Sequence, residues 1–484
     1  MKVRLLVTLA LLALVSGFAV SASKPAQAVS SCAGHAGASA MRGQIDGANY
    51  TIEVPANWNG TLVLYSHGYA FTNNPITLQP LPVANPAPDV GDPATGAALL
   101  AQGYALAGSS YSANGWALQQ AFHDQIALLD FFDATCGQPA RTIAWGHSLG
   151  GIITAGLVQL NPGRFVGALP MCGVLSGGVG TWNQALDGAF AFDVLLGGGA
   201  LPIVNFPSLQ ASQAALFQSE GVLQSAQATP QGRARIALAA TLSDVPGWVT
   251  PLSPEPASTD YASQEQNQFL WEANTDFFFA FEARYELEGR AGGNPSWNTG
   301  VDYRTQLANS ASHKEVENLY KAAGLSLDAD LNALNQAPRI SANPDAVNYL
   351  SQFVTFNGQL NIPVLAMHTS GDGLVVPENE KAYASVVHSQ GHDNLLRQIY
   401  VHRAGHCAFT PAETLTAFQT LINRINTGEW GSTDSGVLNQ EAAALGPNLN
   451  IFSGSSGLVA TPPAFFHFEL PSFLRQFDVR NLGD

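Results

Sequence analysis

The chain has 484 residues, of which 46% are hydrophobic and only 12% charged, with a formal net charge of −16. That is enough apolar material for one large core or for two domains, and it excludes a disordered, charge-dominated tail protein. An acidic surface repels phosphate backbones and argues against nucleic acid as a partner.

Lys2 and Arg4 precede an almost wholly apolar run from Leu5 to Val20, and Ala26-Gln27-Ala28 offers a small-x-small cleavage site. The run is short for a membrane span. These features predict a cleaved signal over residues 1–28, an exported protein (extracellular or periplasmic), and no integral membrane segment once the signal is removed. Cleavage would take away Lys2, Arg4 and Lys24 and no acid, so the mature chain becomes more negative still. Cys32, Cys136, Cys172 and Cys407 remain. An even number in an exported chain predicts two disulfides, with three pairings open, and no Cys-x-x-Cys unit suggests zinc or redox chemistry.

Tyr50 to Val54 alternates like a strand, and Thr61 to His67 is apolar enough for a buried one. A Pro/Asn-rich loop runs from Phe71 to Pro93. Pro93 to Gln102 can form a helix capped by Asp92. Tyr104 to Ser109 reads as a strand, Ala117 to Asp133 as a helix on the spacing of Phe122, Ile126, Leu129 and Phe132, and Arg141 to Gly146 as a strand. Leu149 to Leu160 is a helix ending at Asn161-Pro162-Gly163, and Phe165 to Met171 a strand. Alternating strands and helices signal an α/β protein, a mostly parallel sheet with helices on both faces. The alternation stops at about Gly173. It resumes with strands at Ile362 to Met367 and Arg397 to Val401 and a helix at Ala412 to Ile425. The division expected is a core over 29–172 and 351–430, a large, mainly helical cap insertion over 173–350, and an extension over 431–484 packed on the body. The cap carries the run Phe277-Phe278-Phe279-Ala280-Phe281, which reads as the cap's own core or as the wall of an apolar pocket.

Gly146-His147-Ser148-Leu149-Gly150 has the G-x-S-x-G form of a nucleophile elbow. The strand before it and the helix after it supply the context such a turn needs, and the flanking glycines allow close backbone approach. A hydroxyl at that turn needs an imidazole to take its proton and a carboxylate to orient the imidazole. His406 follows the last core strand and Asp372 the one before it, so the three residues share one end of the sheet. His402, His388 and His392 compete for the first role, Asp124 and Asp130 for the second. The N–H of Leu149, with that of Tyr69 beyond His67-Gly68, could form an oxyanion hole. His67 itself reads as a packed histidine. The strand ends also order the cysteines: Cys172 and Cys407 share the catalytic end, which favours that pair together with Cys32 and Cys136.

These segments (His67-Gly68, Gly146 to Gly150, Asp372 with Val375-Val376-Pro377, and Gly405-His406) resemble the α/β-hydrolase superfamily over roughly residues 50–172 and 360–425. Two details depart from its pattern: Thr369 replaces the usual glycine after His368, and the Asp-to-Pro spacing is one residue longer. His406-Cys407 is also similar in part to the tannase and feruloyl esterase group, where a cysteine beside the histidine pairs with one beside the serine; here His147 holds that second place. The reading is a secreted serine carboxylic ester hydrolase acting through an acyl-enzyme on a small-molecule or polymer ester, without metal or organic cofactor. Two alternatives compete. One is an aminopeptidase-like serine exopeptidase, whose substrate amine Glu282, Glu286 or Glu288 could anchor. The other is a non-catalytic binding protein on the same scaffold.

Overall fold

Residues 32–454 and 457–477 are described by the computed structural model of the chain; the segment read as an export signal lies outside them, as does the end of the C-terminal extension. The strands are β1 (Met41–Ile45), β2 (Ala48–Glu53), β3 (Thr61–Ser66), β4 (Ala105–Ser109), β5 (Arg141–His147), β6 (Gly167–Met171), β7 (Val364–Gly371), β8 (Leu396–Ala404), β9 (Ile451–Gly454), β10 (Gly457–Ala460) and β11 (Phe465–Phe466). One nine-stranded sheet has the order β1-β2-β4-β3-β5-β6-β7-β8-β11, and β9 and β10 form a separate hairpin. From β4 to β8 every pair is parallel; β1, β2 and β11 run antiparallel at the edges.

Both faces of the parallel strands are covered, so the strands are apolar throughout rather than alternating. The two-residue period of β3 shows how this works. Leu62 and Leu64 enter a core with Phe122 and Leu129 of α2 (α1 being Pro93–Ala101, α2 Leu118–Cys136) and Ile152 of α3 (Leu149–Leu160). Val63 and Tyr65 point the other way, into a core with Leu99 of α1 and with Leu415 and Phe418 from the C-terminal part of the chain. Asp92 caps α1 by accepting from the Thr95 N–H at 2.8 Å.

β1 is an element the sequence reading did not anticipate. Its hairpin to β2 turns at Asp46-Gly47, both at positive φ, the geometry a two-residue turn of this kind demands.

Between β6 and β7 lies a helical insertion: α4 (Gly177–Phe192), α5 (Leu209–Gln227), α6 (Pro230–Leu242), α7 (Tyr261–Trp271), α8 (Arg284–Ala291), α9 (Tyr303–Asn309), α10 (His313–Ala323), α11 (Leu327–Gln336) and α12 (Pro344–Gln352). It has its own core, centred on Leu186, Phe190, Leu238, Phe281, Tyr303 and Tyr320. Helical structure is unbroken from α7 to α8, with π-helical turns at Glu272–Asp276 and Phe279–Ala283. Such turns are rare and recur at functional sites.

After β7 come α13 (Glu378–Ser389), α14 (Pro411–Thr427) and α15 (Ser435–Ala444). The extension beyond them returns to the body. Phe465 pairs with Val401 at the sheet edge, Phe473 is buried with Val376 and Ala382, and Arg475 reaches the insertion, donating to Asp187 Oδ2 at 2.6 Å and to the Trp297 carbonyl at 2.7 Å. Disulfides join Cys32 to Cys136 and Cys172 to Cys407, which suits folding in an oxidising, non-cytoplasmic environment. Among the described residues, no helix is long and apolar enough to cross a membrane.

Candidate active site

Strand register sets the site. Ser66 pairs with Gly146, His147 with Met171, and Gly371 with Ala404. The loops that follow β3, β5, β6, β7 and β8 therefore open at one edge of the sheet, where ligands of open α/β sheets bind.

At the end of β5 the chain turns sharply, and Ser148 is held at φ 59°, ψ −123°. A non-glycine residue keeps such a conformation only where its surroundings impose it. Here they do. A Cβ on Gly146 would lie 2.6 Å from the Ser66 carbonyl oxygen, and one on Gly150 would collide with that same carbonyl. The hydroxyl is thus pushed out above the sheet at the start of α3.

His406 Nε2 lies 2.7 Å from Ser148 Oγ, and His406 Nδ1 lies 2.7 Å from Asp372 Oδ2. Asp372 is fully buried. Its Oδ1 accepts from the N–H groups of Leu374 and Val375 at 3.1 and 3.0 Å, so the loop after β7 closes on its own carboxylate despite the lengthened spacing to Pro377. Thr369, in place of the expected glycine, donates from Oγ1 to the Gly405 carbonyl at 2.8 Å, and Gly405 N–H donates to Gly371 at 2.9 Å. These bonds tie the aspartate loop to the histidine loop, and the Cys172–Cys407 disulfide ties the histidine loop to the end of β6.

His368 is a contributor the sequence reading did not single out for a role. It is completely buried; Nδ1 faces Glu380 Oε1 at 3.2 Å, and Nε2 faces the Val375 carbonyl at 2.7 Å and Asp372 Oδ2 at 3.5 Å. Both ring nitrogens meet acceptors, which suits an imidazolium. Burial alone would lower its pKa, but Asp372 and Glu380 push it up to about 10. Burial likewise would raise the Asp372 carboxyl, but His406 and His368 hold it well below the usual range. A histidine four residues before Asp372, on the strand that leads to it, is the signal available in the sequence.

The N–H groups of Tyr69 and Leu149 donate to no acceptor among the described residues. Leu149 opens α3, where free N–H groups and the helix dipole favour negative charge. Gly68 makes the approach of Tyr69 possible: a Cβ there would stand 3.3 Å from that of Ser148. His67 is packed, its ring stacked on Tyr111 with centroids 4.0 Å apart. His147 is boxed in by Tyr65 and Trp145, and burial, with His406 nearby, pushes it down to about 3.

The competing residues are engaged elsewhere. His388 faces Asp393, His392 accepts from the Leu360 N–H, and His402 lies near Glu255 and Ser370. Asp124 accepts from Ser112, and Asp130 pairs with Arg164. The glutamates offered as an amine anchor are also occupied: Glu286 holds Arg290 and the Trp116 N–H, and Glu288 accepts from Asn205 and Phe206. Neither these two nor Glu282 lines the pocket at Ser148.

That pocket encloses about 100 Å³ between core and insertion. Ser148, Leu149, Tyr69 and Leu374 form its floor. Trp116, Trp182, Ala185, Phe277 and Phe279 form apolar walls, and Glu272 and Asp276 add two carboxyls. The aromatic run splits between the two roles foreseen for it: Phe281 enters the cap core, Phe279 faces the pocket, and Phe277 does both. Among the described residues, no group of three or more His, Cys, Asp or Glu side chains gathers as a metal site would need.

No family model matches the chain. It is 28% identical over 457 residues to an o-phthalyl amidase from Xanthobacter agilis, an alignment covering 89% of this chain and 94% of the relative. Among solved structures it is similar to feruloyl esterase B from Aspergillus oryzae (13% identity, TM-score 0.37, 81% of each chain). It is also similar to a proline iminopeptidase from Mycobacterium smegmatis (12% identity, TM-score 0.33, 84% of this chain and all of the other). The order of its own sheet, with helices on both faces and a large helical insertion between β6 and β7, gives the chain the α/β-hydrolase fold.

Proposed function

We propose that the protein is an exported serine hydrolase that cleaves a carboxylic ester or amide through an acyl-enzyme on Ser148. The observation that carries this reading is the unbroken path Ser148 Oγ–His406–Asp372, with both steps at 2.7 Å. In its neutral form, His406 takes the proton of Ser148 as the hydroxyl attacks the carbonyl. Asp372 fixes the tautomer with Nδ1–H and steadies the imidazolium that forms. The Tyr69 and Leu149 N–H groups receive the developing oxyanion. His406 then protonates the departing alcohol or amine and activates water for deacylation. No metal or organic cofactor enters these steps. The small pocket suits one compact substituent near the carbonyl, so a polymer would enter only by a side group or an end.

The amidase relative favours including amides beside the esters expected from the motifs. The test compares initial rates of the mature protein and its Ser148→Ala variant on p-nitrophenyl esters of rising chain length, methyl ferulate, aminoacyl p-nitroanilides and an o-phthalyl amide. Turnover lost by a factor of about 10³ or more in the variant is expected. Equal turnover in both proteins would discard the reading. Folded wild-type protein that ignores an organophosphonate probe at Ser148 would restore the non-catalytic alternative.

A further inference from the structure

Two carboxyls in the pocket have no part in the triad. Glu272 and Asp276 stand at the ends of the π-helical turn that continues α7, and both line the cavity that Ser148 opens into. Glu272 is 8% exposed, and its side chain makes no hydrogen bond or ion pair among the described residues. Asp276 Oδ2 is buried and has no partner. Other buried acids are held by partners: Asp187 receives Arg475, Gln306 and Tyr303, and Glu413 receives Arg403. Asp89, Glu265, Glu315 and Glu378 each leave one buried oxygen without a partner among the described residues, but none of the four lines this cavity. A buried and a half-buried carboxyl, both unpaired and one turn apart, are costly in desolvation and in mutual repulsion. Burial pushes Glu272 up to about 7, and burial with Glu272 and Asp372 nearby raises Asp276 well above the carboxylate range.

What would relieve them is set by their surroundings. No Lys, Arg or His lines the cavity. An anion would face both carboxyls with no cation lining the cavity to offset them. An apolar group would leave the pair as it is. Two carboxyls are too few for Mg²⁺ or Ca²⁺, which take six or more oxygen ligands, and no histidine or cysteine lines the cavity to complete a zinc site. A protonated amine supplies both a positive charge and up to three donors. We propose that Glu272 and Asp276 form a subsite for a protonated amine carried by the substrate, in the same cavity as the scissile carbonyl. The subsite selects amine-bearing substrates, such as aminoacyl derivatives, over their neutral and carboxylate counterparts. As a statement about substrates it rests on the reading of Ser148 as nucleophile; as a statement about binding it does not.

The test separates the two. Binding of n-butylammonium, 1-pentanol and valerate to the Ser148→Ala protein is measured by calorimetry, where no turnover is needed. The ammonium ion is expected to bind at least about tenfold more tightly than either of the others, the scale of one charge-assisted contact. In Glu272→Gln/Asp276→Asn on the same background, that preference is expected to fall to within about twofold, with Glu272→Gln alone as the fallback if the double variant does not fold. In catalytically intact protein, kcat/KM for alanine p-nitroanilide is expected to exceed that for propionyl p-nitroanilide, and Glu272→Gln is expected to narrow the ratio. Equal binding of ammonium and alcohol, tighter binding of valerate, or a preference unchanged in the variants would overturn the subsite. Ammonium binding without turnover of any substrate would support the subsite and remove the nucleophile.

Discussion

The two sides of the cavity are built on opposite principles. On the core side the side chains around Ser148 are matched to one another. Ser148 meets His406, His406 meets Asp372, and Asp372 meets two backbone N–H groups and His368. On the cap side Glu272 and the Oδ2 of Asp276 meet nothing. A matched network is preorganised and holds reacting groups in place before substrate arrives. An unmatched buried pair is unstable until something fills it, and its cost is evidence of what it is for. The difference teaches that one site can be read by its bonds and its neighbour by their absence.

The largest expected effect would break the matched side. Asp372→Asn keeps the shape of the side chain but presents the wrong partner to His406 Nδ1–H. A fall in kcat on the order of 10⁴ is expected, with KM little changed, measured on whichever substrate the panel selects. A loss below about tenfold would mean that another group orients His406. Next in size is the covalent staple. Cys172→Ser should lower unfolding free energy by about 2–5 kcal/mol, read by denaturant titration, and should reduce turnover before global unfolding, because the bond anchors the residue beside His406.

The third prediction concerns His368. Its pKa is raised from the ordinary 6.5 to about 10 in the folded protein. Between these values the folded state holds a proton that the unfolded state releases, so the stability it contributes is complete below about 6.5 and lost as pH rises through about 10. The expected slope is up to about 1.4 kcal/mol per pH unit, seen in denaturation midpoints, and His368→Gln should flatten it. The smallest effect falls with pH in the same direction, but here the substitution is expected to stabilise. Glu272 is raised from 4.5 to about 7, so ionising it costs the folded state stability as pH climbs through that window. Glu272→Gln should therefore be more stable than wild type at pH 8, on the order of 2 kcal/mol, and gain nothing at pH 4. A variant destabilised at pH 8 would show that the carboxyl is matched after all, and would erase the contrast between the two sides.

The matched side was the legible one. Gly146 to Gly150 between an apolar strand and an apolar helix locates Ser148, and the loops after later strands offer Asp372 and His406, because strand ends dictate where such loops open. The parallel sheet was legible for the same reason: each core strand is a short apolar run and each covering helix has a clear period. β1 escaped notice because Met41-Arg42-Gly43-Gln44-Ile45 is an edge strand, three of its five residues exposed, with little apolar signal. Glu272 and Asp276 escaped notice because a π-helical turn rotates side chains away from the faces that a 3.6-residue period assigns. Glu282, Glu286 and Glu288, the anchors the sequence offers, do not line the cavity, and Glu286 and Glu288 are bonded within the protein. Partners such as Asp187 and Arg475 lie 288 residues apart, a distance over which no local pattern speaks.

That last pair also bears on the order in which the molecule is completed. Asp187 belongs to the first helix of the insertion, is fully buried, and receives its guanidinium from almost the far end of the chain. During synthesis, the strands through β6 and most of the insertion emerge while this carboxylate still lacks its counter-charge, and a buried charge without its partner is strongly unfavourable. The insertion therefore gains its last charge partner only when Arg475 has been made. The cap above Ser148 is thus stabilised by a segment made long after it, so its full stability comes late in synthesis.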